Sequence, residues 1–303
     1  MHYEFCFTIF ARFKHHNDYM KASYVLLTFL LVVTTAKAQD DPWQDYMRYL
    51  IYSPRYFGPN AFPLPELRGG RIEKRLEAEV RGEYHAFKGD QTKDVYGRIF
   101  IPVAEGRTGL EISYIFYEYY NMTPETVEER HAAGQYWKDG ANGDVIISSF
   151  YPLFKNNKWV DCLIEASLKT ASGNRIADAR YTDAASYWFD LDAGCYLAKS
   201  ADSSSFIRLQ GIAGFYCWMT NDIAHRQNDA FLYVAGISSG YKNLTLNVDI
   251  AGFHGYFNNG DRPLILRTKL NYECKKNVLS LRYKHGMHDY LYDTFSFAYI
   301  RCF

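Results

Sequence analysis

The chain has 303 residues, and its 34 Lys and Arg residues balance its 34 Asp and Glu residues at a formal net charge of zero. This balance leaves no electrostatic footprint for nucleic acid, so we predict no nucleic-acid partner. Aromatic residues make up 17% of the chain, with 27 Tyr among them, and this excess over the needs of a soluble core requires another location.

Residues 20–38 are predicted to form a secretory signal peptide. The stretch MKASYVLLTFLLVVTTAKA has an early lysine, an apolar run and a small-x-small cleavage site. A permanent helical anchor is the alternative, but the apolar run is far shorter than the roughly 20 residues that a spanning helix needs. We therefore expect the mature chain to begin at Gln39 and residues 1–19 to be an extension translated from an upstream start.

Residues 39–70 are predicted to form a segment without regular secondary structure. The prolines at 54, 59, 63 and 65 exclude a regular helix or a central strand. The segment also carries many rings, which are unfavourable in water, so it should cover an apolar surface inside its own fold or on a partner. An extended linker is the alternative. The candidate plug or partner residues are Trp43, Tyr52, Arg55, Tyr56, Phe57 and Phe62.

The stretch RIEKRLEAEVRGEYHAF, residues 71–87, alternates apolar or small residues with charged ones. A helix would also align some of the apolar residues, but no N-cap residue precedes Arg71 and Gly82 would cost a helix about 1 kcal/mol. We predict a strand with two unlike faces. One face carries Ile72, Leu76, Ala78, Val80, Tyr84 and Ala86, and the other carries Glu73, Arg75, Glu77, Glu79, Arg81, Glu83 and His85.

Alternating segments of this kind recur along the chain, and short connections alternate with long ones. This pattern is typical of an all-β, closed antiparallel transmembrane β-barrel of about twelve strands, whose two rims carry turns and loops respectively. A β-sandwich is the alternative, but it does not require alternating loop lengths. The predicted strands are 71–87, 94–103, 108–119, 144–154, 159–169, 186–197, 206–219, 230–240, 243–255, 264–273, 277–285 and 294–303.

The chain ends in TFSFAYIRCF, with Phe295, Phe297 and Tyr299 alternating on one face and Phe303 as the last residue. This resembles the C-terminal assembly signal of Gram-negative outer-membrane β-barrels of the porin-like superfamily, from which Arg301 departs. The resemblance implies a place in the outer membrane, contact with outer-membrane lipid, and recognition of the last strand by the barrel assembly machinery. Residues 39–70 would then plug the lumen or dock on another periplasmic or outer-membrane protein.

Aromatic clusters lie where predicted strands meet the long loops. They are IFYEYY at 115–120, YWF at 187–189 and FYCW at 215–218. We interpret them as an outer aromatic girdle at the membrane surface.

Alternation also assigns side chains to the lumen. Acidic residues of the fifth and sixth predicted strands and basic residues of the tenth and eleventh would form walls on opposite sides, and their field would orient a dipolar solute. The alternative is that these charges simply pair within the barrel. The predicted lumen-lining residues are Glu77, Arg81, Asp161, Glu165, Asp190, Asp192, Arg267, Lys269, Arg282 and Lys284.

No catalytic site, metal site or cofactor is predicted. Outer-membrane phospholipases resemble the chain in size and strand number and use a His-x-Ser pair, but no histidine of the mature chain has Ser two residues on. The stretch HGMHD offers His285, His288 and Asp289 to a metal, although this spacing favours solvated loop residues. The mature chain's five cysteines are interpreted as small apolar residues, with a Cys162–Cys195 disulfide as the alternative.

The leading functional hypothesis is a channel for small polar solutes. The second is a non-conducting barrel subunit or scaffold of an outer-membrane complex, docked through residues 41–70. The third is an outer-membrane lipid hydrolase, which lacks its expected residues.

Overall fold

A computed structural model of the protein describes residues 49–133, 137–155, 159–202, 204–220 and 224–303. The predicted extension 1–19, the signal peptide 20–38 and residues 39–48, which include Trp43, lie outside the described residues. Within the described ranges, no helix has the length and apolar character needed to cross a bilayer.

The described chain forms one antiparallel sheet, with a single turn of helix, α1 (Pro124–Glu129), in one loop. Short 3₁₀ turns occur at Pro54–Tyr56, Ala104–Gly106 and Ile176–Asp178. The strands are β1 (Glu77–Phe87), β2 (Asp90–Val103), β3 (Thr108–Met122), β4 (Lys138–Ala141), β5 (Ile146–Lys155), β6 (Asp161–Lys169), β7 (Ser186–Lys199), β8 (Ser205–Met219), β9 (Gln227–Tyr241), β10 (Leu244–Gly255), β11 (Leu264–Cys274), β12 (Asn277–His288) and β13 (Asp293–Cys302).

Twelve of these strands close into a ring in sequence order, and the short β4 is an addition that pairs only with β3. The ring closes where β1 pairs with β13, from Glu77 opposite Cys302 to Ala86 opposite Asp293. Because each long strand has two neighbours, the ring leaves no open sheet edge. The prediction of an all-β, closed antiparallel barrel of about twelve strands is confirmed.

The first strand begins later than predicted, at Glu77 rather than at residue 71. Gly69 and Gly70 have φ angles of 60° and 75°, and a Cβ atom on Gly70 would lie 2.2 Å from the Asp161 carbonyl oxygen. This turn brings the following residues against the inside of the wall before they join it. Ile72 is therefore buried beside Phe100, and its assignment to the lipid face was wrong.

The two rims of the barrel differ, as the connection lengths predicted. The turn end carries the β2–β3, β5–β6, β7–β8, β9–β10 and β11–β12 connections and the C-terminus. The loop end carries the longer connections, including 123–145 with α1 and β4, and 170–185. Two connections at the loop end are short exceptions, namely the β1–β2 connection, Lys88 and Gly89, and the four-residue β12–β13 connection, 289–292.

The two faces of the wall also differ. The outer face exposes apolar side chains such as Val80 (57% exposed) and Phe297 (53%). The predicted girdle divides between both faces because neighbouring residues of a strand point in opposite directions. Phe189 and Phe215 point outwards, whereas the following rings are buried on the inner face, contrary to the girdle interpretation: Tyr120, Trp188, Tyr216 and Trp218.

We expect Leu191→Arg to prevent assembly, because Leu191 is 48% exposed on the outer face of β7 and a cation there costs about 2–4 kcal/mol near the bilayer midplane. Asp190→Asn, one residue away on the inner face, should assemble normally. The measurement is the gel shift between boiled and unboiled samples. Equal behaviour of the two variants would contradict the assignment of the faces.

Candidate functional site

Residues 49–76, called here the inner segment, run through the lumen from the loop end to the turn end. Near the loop end, Gly58 N–H donates to the carbonyl of Ala179 at 2.8 Å. Near the turn end, Arg75 pairs with Glu273, the penultimate residue of β11, at 3.0 Å. The segment therefore occupies the barrel along its length.

The half of the inner segment nearer the loop end is held by packed rings. Tyr52, Phe57 and Phe62 are buried, and Phe62 meets the ring of Trp218 edge-on at 5.7 Å. The Trp218 indole N–H also donates to the carbonyl of Tyr52 at 2.9 Å. The wall side of this cluster includes Trp188, Tyr216, Leu232 and Phe253.

The two remaining described candidates of the segment are less enclosed. The Arg55 side chain is 42% exposed and pairs with Glu129 at 3.3 Å. Tyr56 is partly buried below the Arg55 guanidinium, which lies 5.9 Å from its ring centre.

The half of the segment nearer the turn end is held by charges. Glu66 accepts from Arg282 at 2.7 Å and from Lys269 at 2.8 Å, yet its side chain is 46% exposed to the lumen. Arg68 is less exposed and pairs with Glu111 at 2.5 Å. Its guanidinium lies 3.9 Å from the centre of the Phe150 ring. Burial and nearby charges act on Glu66 in opposite directions, and the cations hold its pKa well below the usual range.

The structure places all ten predicted lumen-lining side chains on the inner face of the wall. The two groups lie across the lumen, since β6–β7 are separated from β11–β12 by β8–β10 on one side and by β13, β1–β3 and β5 on the other. Most of these side chains form ion pairs inside the barrel. For the basic group and for Glu77 and Arg81, the pairs include Arg267–Asp249, Lys269–Glu66, Arg282–Glu79, Lys284–Glu83, Arg98–Glu77 and Arg81–Glu83.

The acidic group is compensated differently, largely by the inner segment. Asp161 pairs with Arg71 of the segment and with Arg208 of the wall at 2.8 Å. Asp192 accepts backbone N–H bonds from Arg68 at 2.6 Å and Gly70 at 2.9 Å.

The other two acidic residues, Glu165 and Asp190, lie opposite each other on β6 and β7. Glu165 accepts from the Trp188 indole at 2.9 Å and from Ser167 at 2.7 Å. Neither carboxylate oxygen of Asp190 has a hydrogen-bond partner within the described chain. Among the described residues, neither Glu165 nor Asp190 forms an ion pair with a basic residue of the wall.

The loop end is closed by a buried carboxylate, Asp90, at the start of β2. Arg130 beyond α1 pairs with it at 2.9 Å, Tyr292 donates to it at 2.6 Å, and Arg180 of the 170–185 loop also pairs with it. Arg180 additionally pairs with Glu118 of β3 at 2.8 Å. Three loops are therefore fixed at one point, which the strand pattern did not indicate because loop residues follow no period.

Burial favours the neutral forms of two groups near this closure. Burial raises the pKa of Tyr292, so its hydroxyl remains a donor to Asp90 at neutral pH. Burial also raises the pKa of Asp178 in the 170–185 loop, which accepts a hydrogen bond from Tyr120.

Three buried side chains, Glu83, His85 and Asp94, come close enough to share a metal ion. Most of their atoms are already engaged, however: His85 contacts Asp94 at 2.7 Å and Thr294 at 2.8 Å, and Asn60 donates to the same Asp94 oxygen at 2.8 Å. The other Asp94 oxygen has no hydrogen-bond partner among the described residues. The geometry is that of a hydrogen-bond network that also holds Asn60 of the inner segment.

The histidine-rich stretch and the cysteines occupy other places. His285 contacts Asp293 at 2.7 Å on the outer face, while His288 lies near Asp289 at the loop end, and both histidines are exposed. The five described cysteines are free, so Cys162 and Cys195 are not bonded to each other.

A cavity of about 550 Å³ remains between the inner segment and the wall. Its lining combines polar and apolar surface in similar amounts and includes Glu66, Arg71, Asn247, Arg267 and Asn271. The lining reaches Glu273 at the turn end, whereas Asp90 and its partners close the loop end. The site is therefore a charged vestibule with a segment of the same chain inside it.

No protein-family model matches the chain, and no curated protein matches it by sequence. Solved barrels resemble it in fold. The KdgM porin is 11% identical in sequence, and the match covers 74% of this chain and 99% of the porin with a TM-score of 0.46. The COG4313 outer membrane channel from Pseudomonas putida F1 is 11% identical, and the match covers 80% of this chain and 100% of that one with a TM-score of 0.49. The translocator domain of the autotransporter NalP from Neisseria meningitidis is 8% identical, and the match covers 77% of this chain and 90% of that one with a TM-score of 0.48. At this level the likeness carries no argument about function.

We expect Asp90→Ala to destabilise the barrel by about 3–5 kcal/mol, because it leaves the buried Arg130 without a carboxylate partner and Arg180 with Glu118 alone. The loops at 123–133 and 170–185 should then become sensitive to protease. The control is Glu273→Ala, which removes an exposed pair with Arg75 and should cost about 0–1 kcal/mol. Urea unfolding and limited proteolysis measure both, and equal losses would contradict the role of Asp90.

Proposed function

We propose that the protein is an outer-membrane channel for small polar solutes and that the inner segment closes its lumen. The observation that carries the proposal is the cavity between the segment and the wall, which is lined by many charged residues. The apolar outer face and the aromatic last strand support a place in the outer membrane. A barrel without a transport role could fill its lumen with wall side chains and would not need a separate segment inside it.

The two halves of the inner segment are held with different strength. Burial of rings such as Phe57 and Phe62 contributes about 1.5–3 kcal/mol each, which favours a permanent anchor at the loop end. The contacts of Glu66 are open to the cavity, and exposed pairs of this kind contribute only about 0–1 kcal/mol. We therefore expect residues 63–76 to leave the wall in the open state while residues 49–62 stay in place. The restraints on this movement are the pairs of Arg68 and Arg71 and the apolar contacts of Ile72.

The charges that this movement uncovers bear on the solute. Arg68 and Arg71 leave with the segment, so Asp192 loses its backbone donors, while Glu111 and Asp161 keep Arg98 and Arg208 of the wall. Glu66 leaves as well, so Lys269 loses its carboxylate partner, whereas Arg282 keeps Glu79. The open lumen would then present the carboxylate of Asp192 and the ammonium of Lys269 on opposite sides, which favours a dipolar solute.

The two other hypotheses have less support. Docking through residues 41–70 would need rings that are free, but Tyr52, Phe57 and Phe62 are buried against the lumen wall. A lipid hydrolase would need a reachable nucleophile. His85 lies between Thr294 and Asp94, in the order used by hydrolases, but all three are buried away from any lipid ester.

The test is Arg68→Glu in the full-length chain, recorded in a planar bilayer. The new carboxylate would face Glu111 and release the segment. We expect the open probability to rise at least about tenfold, since loss of a largely buried pair costs about 3–5 kcal/mol and about 1.4 kcal/mol already shifts an equilibrium tenfold. The matched control is Arg75→Glu, the same charge change in an exposed pair, which should conduct like the natural chain.

Three outcomes of these recordings lead to different conclusions about the channel and its gate. Increased conductance of Arg68→Glu alone supports the channel and its gate. Equal increases in both variants would mean that net charge, not the segment, controls conduction. Absence of conductance in every properly assembled variant would reject the channel in favour of a non-conducting barrel.

A further inference from the structure

We infer that the outer face of the barrel carries a binding groove for an anionic phospholipid, with its acyl chain over Gly82 and its phosphate at Lys93. The groove has a volume of about 710 Å³ and crosses β1, β2 and β11–β13. Its surface is formed mainly by apolar and aromatic side chains, among them Leu270, Leu281 and Phe297.

The groove exists because Gly82 lies in the middle of the outer face of β1. Its cross-strand neighbours are Phe297 on β13 and Val95 on β2, which are both exposed outwards. A Cβ atom on Gly82 would meet nothing within 4 Å, so the missing side chain leaves open space between two apolar ridges. An acyl chain is the occupant whose shape and polarity fit such a space in the hydrocarbon layer.

One row nearer the loop end, an aromatic ridge borders the groove. Tyr84 lies opposite Phe295 of β13, which lies opposite Tyr283 of β12. The Tyr283 and Phe295 rings are 4.9 Å apart, and the Tyr283 hydroxyl donates to Asp293 at 2.8 Å. Rings with one polar end are typical of the boundary between acyl chains and head groups.

Lys93 supplies the charge that selects the head group. It lies opposite Tyr84, and its ammonium nitrogen is 5.8 Å from the centre of the Tyr84 ring. Lys93 is exposed on the outer face and has no ion pair within the described residues. A lysine on this face is tolerated when its stem extends towards the head groups, where a phosphate is the complementary anion.

A carboxylate at the edge of this groove, that of Asp293, is already engaged. Asp293 accepts from Tyr283 and contacts His285 at 2.7 Å, so its charge is held at the β12–β13 side of the groove. Lys93 at the β2 side remains available to the lipid. The inference rests on the membrane location of the barrel but not on conduction, so a barrel that does not conduct would leave it unchanged.

The test measures binding of dioleoyl phosphatidylglycerol and dioleoyl phosphatidylcholine to the detergent-purified mature chain by native mass spectrometry. We expect Lys93→Gln to weaken phosphatidylglycerol binding about tenfold, in line with the loss of one charge-assisted contact, and to leave phosphatidylcholine binding nearly unchanged. Lys93→Arg should retain binding. The matched control is Lys242→Gln, which removes another lysine that lies 5.2 Å from a tyrosine ring, at the turn end.

A second variant, Gly82→Leu, should fill the groove and reduce binding of both lipids, whereas Ala213→Leu on the outer face of β8 should not. The boiled and unboiled gel shift shows that each variant is assembled. The inference is overturned if Lys93→Gln binds phosphatidylglycerol like the natural chain, if Lys242→Gln has the same effect, or if Gly82→Leu binds both lipids unchanged. A protein that copurifies and occupies the groove instead would also overturn it.

Discussion

Backbone hydrogen bonding in an apolar medium is the constraint on which the rest of the structure depends. Hydrocarbon offers no partner to an unpaired N–H or C=O group, so a sheet can cross it only as a closed ring. Here the ring closes between β1 and β13, the first and last strands of the wall. Side chains alternate between the two faces of any strand, and closure makes one face the outer surface and the other the lining of a lumen.

The inner segment fills that lumen with two kinds of contact. Towards the loop end its rings pack on rings of the wall, and the stacked pair of Tyr216 and Phe253, 4.9 Å apart, forms part of the surface that they cover. Towards the turn end its charges complete the ion pairs of the wall. Buried rings hold the loop-end half of the segment in place more strongly than solvated ion pairs hold the turn-end half. The same segment can therefore be an anchor at one end and a gate at the other.

The many aromatic residues lie on both faces of the wall, because neighbouring residues of a strand point in opposite directions. Along each strand, one ring points to lipid and the next points to the lumen, as Phe189 and Trp188 do. The outward rings form part of the apolar outer face and, near Gly82, border a groove on it. The inward rings close the lumen together with Asp90 and the loop arginines. The apolar outer face and the closure of the lumen therefore use one alternating pattern.

The sequence by itself determined the number and order of the wall strands, the unlike rims and the inward direction of residues such as Asp161 and Arg282. These features follow from a local, two-residue period, which a single chain displays without any partner. Only the tertiary structure decided the path of the inner segment and the meeting of Asp90 with Arg130 and Arg180, 40 and 90 residues further along. Such contacts join loops and irregular backbone across the barrel, and no periodicity in the chain encodes which of them come together.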